Sequence, residues 1–109
     1  MNEHCSLTLL FAFIGTLFIV IGLPLAFEKI GPNSVYGFRT AKTMSDPRVW
    51  YSVNRIGGID FCISGTIILI SSFVLKWLLS DYSPQLLLGA DWAIVLITLC
   101  WIVIHFILV

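Results

Sequence analysis

Charge is scarce in this chain: Asp, Glu, Lys and Arg make up 11% of its 109 residues, against about a quarter in an ordinary soluble domain. Too little polar sequence remains to coat a globule, which excludes a soluble enzyme, a nucleic-acid binder and a disordered tail. Cysteine is little help. Cys5, Cys62 and Cys100 are odd in number and lack C-x-x-C spacing, so neither a disulfide framework nor a metal centre is expected. Cys100 and His105, five apart, share no helical face well. Also missing are a Ser-His-Asp order, a glycine-rich phosphate loop and an H-E-x-x-H helix. No nucleophile and base pair stands out for an enzyme acting on lipid or membrane peptide, and no cofactor is implied. The formal net charge is zero, so whole-molecule electrostatics selects no partner.

Apolar residues, by contrast, are 59% of the chain, with a mean hydropathy of +1.00, and they fall into three blocks. The first, 6–27, has no ionisable side chain; at about 1.5 Å per residue it reaches roughly 33 Å, enough for a ~30 Å hydrocarbon core. A signal peptide would need a basic start, whereas Asn2, Glu3 and His4 precede this span. The second block covers about 59–79 and the third about 86–109. The expected fold is all-α and integral to the membrane: one three-helix domain over 1–109, with a structured loop, 28–58, between helices one and two. Ser83-Pro84 opens the third helix as cap and first residue. Counting back from the end of the chain places Asp91 at the opposite interface rather than at mid-membrane.

Orientation follows from the basic residues. Five of the six, Lys29, Arg39, Lys42, Arg48 and Arg55, lie in the loop, which predicts a cytoplasmic loop and C-terminus and an external N-terminus in a cell membrane. Lys76, Trp77, Asp81, Tyr82 and Trp92 then gather at the outer interface.

The loop is far longer than the usual connection of about 4–6 residues, so it is read as structured or functional. Gly31-Pro32-Asn33-Ser34 is a breaker run that ends helix one. Tyr36 and Phe38 flank Gly37 and precede Arg39 and Thr40; in water these rings would expose large apolar faces. The strip is therefore expected to pack against the start of the next helix. Asp46-Pro47 is a second helix start, from which Trp50, Asn54 and Gly58 share one face. An unbroken helix from Pro47 would overrun the bilayer core, so its first turns project or bend away, and Gly57-Gly58 is where a bend, or a close approach by another backbone, costs least. Gly15 and Gly22 form a small-residue groove for close helix packing.

The order P-N-x-x-Y-G-F-R-T, T-x-S-D-P, W-x-x-x-N-R-x-G-G, carried by Pro32, Asn33, Tyr36, Gly37, Arg39, Thr40, Thr43, Trp50, Asn54 and Gly58, resembles the signature of the SdpI family of small bacterial membrane proteins. The resemblance implies immunity against a secreted, membrane-active peptide toxin that delays sporulation, the founding activity of that family. The partners it implies are the lipid bilayer, a peptide toxin, and a second copy or a regulator, with no nucleic acid. The candidate site is Asn33, Tyr36, Gly37, Arg39, Thr40, Trp50, Asn54 and Asp60. Arg39 is either a cation that grips a phosphate or carboxylate, or a structural tie to Asp60 or to loop carbonyls. Trp50 and Asn54 either line a site or clamp the strip. The alternative function is a small transporter or channel-like subunit using Asp60 and Arg39.

Overall fold

The computed structural model describes residues 2–108; Met1, and Val109 at the expected end of the third span, lie outside the described residues. The chain order is α1 (Glu3–Ala26), α2 (Ala41–Ser45), α3 (Pro47–Leu78) and α4 (Pro84–Leu108). Three of the four, α1, α3 and α4, are long and apolar enough to cross a membrane, which makes this an all-helical, multi-pass architecture.

Local chemistry sets the helix ends. The Asn2 side chain accepts the Cys5 N–H at 2.8 Å, capping α1, and Glu3 lies in its first turn. That helix stops before the glycine-proline breaker, by its own device. Glu28 adopts φ 57, and the Glu28 and Lys29 N–H groups donate back to the Leu25 and Pro24 carbonyls at 3.1 and 2.9 Å, which closes a Schellman turn with glutamate where glycine is usual.

Asp46 accepts the Arg48 N–H at 2.9 Å and Pro47 follows it, as the sequence predicts, but α3 then continues for 32 residues. The second helix therefore starts at Pro47 rather than near 59 and is continuous through Gly57-Gly58. At about 1.5 Å per residue it is roughly 48 Å long, so about three turns stand clear of a ~30 Å core. The connection shrinks to residues 27–46 and contains α2, a short helix the sequence reading did not anticipate. Ser83 Oγ accepts the Leu86 N–H at 3.3 Å at the start of α4.

Of the two alternatives at Gly57-Gly58, the structure shows the close approach. A Cβ on Gly22 would lie 2.5 Å from the Gly58 carbonyl oxygen, and one on Gly58 would lie 2.6 Å from the Gly22 carbonyl oxygen. Gly15 and Gly65 meet in the same reciprocal way. Both pairs sum to the same number, so α1 and α3 run antiparallel in fixed register, backbone against backbone. With α4, Phe11, Ile68 and Val95 form a buried cluster, and the Phe11 and Trp92 rings meet edge to face at 5.4 Å. Phe13, Ile70 and Ile97 point outward and are exposed, the pattern of a bundle whose solvent is lipid.

Candidate functional site

The candidate residues gather at the end of the bundle where residues 27–40 form a strap over the first turns of α3. Asn33 organises its start. Its side-chain oxygen accepts the Val35 and Tyr36 N–H groups at 2.8 and 2.6 Å, and its amide donates to the Gly31 and Tyr36 carbonyls at 2.8 and 2.9 Å. One carboxamide thus satisfies four backbone groups that have no helix or sheet partner. The Tyr36 hydroxyl donates to the Ile21 carbonyl, one turn before Pro24, whose missing N–H loosens the α1 backbone there. Burial, and secondarily the neighbouring Cys62, push the Tyr36 phenol above its ordinary value of 10.0.

Two residues one turn apart on α3 hold the strap. Trp50, fully buried, donates its indole N–H to the Ile30 carbonyl at 2.9 Å. Asn54, 2% exposed, accepts the Phe38 N–H at 2.5 Å and donates to the Phe38 and Trp50 carbonyls at 3.3 and 2.9 Å. A carboxamide that meets both the N–H and the C=O of one residue acts as a single rung of sheet. Between the two contacts Gly37 takes φ 113; a Cβ there would lie 2.7 Å from Asn54 Oδ1 and 2.9 Å from the Trp50 ring. This conformation in this space admits only glycine.

Phe38 is the anchor. Its ring covers Gly57 so closely that no side chain could occupy that position. It stacks on Phe106 of α4 at 5.0 Å and meets Phe61 at 5.9 Å, which ties the strap to two helices. Thr40 then caps α2: its hydroxyl accepts the Thr43 N–H at 3.1 Å while Thr43 accepts the Thr40 N–H at 2.8 Å, a capping box.

The expected Arg39–Asp60 tie is not made. Arg39 is exposed, and among the described residues it forms no ion pair; Asn54 is occupied by the Phe38 backbone. Asp60, 4% exposed, instead meets His105 of α4, with Nδ1 and Oδ2 2.6 Å apart. The physical reason is direction: Phe38 points into the bundle, and its neighbour in an extended strip points away. Beside this pair, Trp101 stacks on the His105 ring at 5.5 Å. Asp91, on the second turn of α4, lies toward the opposite end of the bundle from the strap and is 2% exposed. Phe38, Gly57, Phe106 and His105 were absent from the predicted site. His105, the one histidine or formally charged residue type after Asp91, carried a signal, since such residues in a span are seldom idle.

A model of the SdpI/YfhL protein family matches residues 29–109. This chain belongs to that family. The match takes in the strap, α2, α3 and α4, with the Asn33, Trp50 and Asn54 contacts inside it. Over 55 residues the chain is 40% identical to the uncharacterized protein YfhL of Bacillus subtilis (strain 168), a stretch covering 50% of either protein. This SdpI-family chain thus spans about half the length of that curated relative. No solved structure matches it.

Proposed function

We propose that this SdpI-family protein protects the cell membrane against a membrane-active peptide, by binding and without making or breaking a bond. The observation that carries the reading is the contrast within the strap. Its backbone is fixed by Asn33, Trp50 and Asn54, while the side chains of Val35, 89% exposed, and of Arg39 project from it without an ion pair or side-chain hydrogen bond among the described residues. A fixed backbone with free apolar and cationic side chains is the form of a recognition surface, because its ordering entropy is lost on folding and not on binding. Arg39 offers a planar fork to a peptide carboxylate, or to the lipid phosphate the peptide needs. In this reading the strap is cytoplasmic and the N-terminus external, as the basic residues indicate.

The test is survival of cells lacking the protein under a sporulation-delaying type of peptide toxin, complemented with wild type, Arg39→Ala or Lys29→Ala at matched membrane levels. Protection by wild type and Lys29→Ala but not by Arg39→Ala is expected. Failure of the wild type to protect would sink the proposal. The transport alternative retains only the Asp60–His105 contact, since Arg39 lies outside it; proton flux into proteoliposomes that vanishes in Asp60→Asn would favour that reading.

A further inference from the structure

At the opposite end of the bundle, where residues 79–83 turn from α3 into α4, three buried polar side chains share one level. The α1–α3 register set by the Gly15–Gly65 and Gly22–Gly58 pairs places Thr8 opposite Ser72. Ile68 and Val95 share one buried cluster, so on antiparallel α3 and α4 Ser72 and Asp91, each four residues away toward the turn, lie near one level. Contact of Phe11 with both Val95 and Trp92 puts Thr8 and Asp91 within a turn of each other on the third side of the triangle. All three residues are at most 2% exposed. Ser72 Oγ donates to the Leu69 carbonyl at 2.7 Å, which leaves its lone pairs free. Thr8 Oγ1 and Asp91 Oδ2 have no hydrogen-bond partner among the described residues.

An isolated carboxylate in such a place is costly by many kcal/mol unless it is neutralised. No basic side chain does so. The titratable groups nearest are Glu3, His4 and Cys5 at the start of α1, Lys76, one turn beyond Ser72 on α3, and Asp81 and Tyr82 in the turn, and among the described residues none of them bonds Asp91; farther along, α4 carries Cys100 and His105. His4 is engaged with the Tyr82 carbonyl at 2.8 Å. Directly outward of this level, between the first turns of α1 and α4, lies a cavity of about 250 Å³ bordered by Glu3, Ser6, Leu7, Gln85 and Leu88. Its walls are mostly apolar, with Glu3, Ser6 and Gln85 as the polar groups, and Leu7 and Leu88 bring it within one turn of Thr8 and Asp91 along their helices.

We infer that Asp91, with Thr8 and Ser72 beside it, is a site for one small monovalent cation, a proton or a sodium ion, reached through the cavity at Glu3 and Gln85. Carboxylate and hydroxyl oxygens are hard donors suited to either ion. The cluster of Phe11, Ile68 and Val95 seals the site from the Asp60–His105 pair, so the ion loads and leaves from one side. This inference does not depend on the protective role.

The experiment is infrared difference spectroscopy on the full chain in lipid nanodiscs, with pH and Na⁺ titrated separately against a K⁺ background. The expected result is a protonated-carboxyl C=O stretch that is retained in Asp60→Asn, is missing in Asp91→Asn, and disappears on titration. Loss with rising pH alone identifies the proton, and loss with added Na⁺ at constant pH identifies sodium. Thr8→Val, which keeps the carboxyl and removes one oxygen, should move the midpoint by about tenfold in cation concentration. A spectrum with no Asp91 signal that responds to either ion would overturn the inference. So would an unchanged midpoint in Thr8→Val, which serves even where Asp91→Asn fails to insert.

Discussion

Replacing Asn54 by alanine should release the strap while leaving the three spans assembled. The side chain makes three hydrogen bonds, two of them to Phe38, at a site 2% exposed to solvent. The third, to the Trp50 carbonyl, is the least costly to lose, because that carbonyl remains within α3. Truncation leaves the Phe38 N–H, and more weakly its C=O, without a partner, at about 1–3 kcal/mol for each buried group. Taking about 2 kcal/mol as the net cost, after water enters to meet the freed groups, the docking equilibrium shifts roughly thirtyfold. Amide hydrogen exchange in nanodiscs reads this directly. Exchange at Phe38 should accelerate about thirtyfold in Asn54→Ala, while amides of α1 and of α3 beyond Gly65 keep their protection. Acceleration of less than about threefold at Phe38 would refute the argument that Asn54 holds the strap.

Gly57→Ala should have the same effect by a different route: the new methyl collides with the Phe38 ring, which Phe61 and Phe106 prevent from sliding aside, and exchange at Phe38 should rise while Asn54 is intact. Gly22→Ala and Gly58→Ala each force apart backbones whose Cβ would lie 2.5–2.6 Å from a facing carbonyl oxygen, so each should lower resistance to SDS unfolding by about 1–3 kcal/mol. The two face each other, and the double variant should cost less than the sum. Tyr36 should titrate above free tyrosine, because burial disfavours its phenolate. Its folded value exceeds the unfolded one, so the contribution to strap stability is complete below about pH 10 and is lost as pH rises through the folded value. An ultraviolet tyrosinate titration should lose its most alkaline step in Tyr36→Phe.

Much of this architecture was legible in the sequence because membrane spans and helix caps are local signals. The three blocks, the Asp46-Pro47 start and the Ser83-Pro84 start each depend on a few neighbouring residues. The docking of the strip from 36 to 40 was legible too, since Tyr36 and Phe38 had to cover something and Trp50 and Asn54 faced one way. What was not legible is rotation and register between helices. An apolar helix such as α4 shows no preferred face, so nothing in the chain announced that His105 turns toward Asp60 or that Asp91 turns inward. The same gap explains Arg39. Two aromatics and a cation in a strip could be sorted inward and outward in either sense until the Gly57 surface fixed Phe38, and thereby its neighbour. Gly57-Gly58 stayed open for a related reason: two glycines in a helix are equally consistent with a bend and with a close neighbour, and only the positions of Gly22 and of the Phe38 ring decide for the close neighbour.

The most direct test of the central claim is the affinity of a sporulation-delaying type of peptide toxin for the purified chain in nanodiscs. It should be measured for wild type, Arg39→Lys, Asn54→Ala and Lys29→Ala. If a fixed strap presents Arg39 as a fork-shaped contact, Arg39→Lys and Asn54→Ala should each weaken binding about tenfold or more, the first by removing the planar donor pair and the second by freeing its support, while Lys29→Ala stays within about twofold. Equal affinity across all four proteins, or no binding by the wild type, would contradict the account.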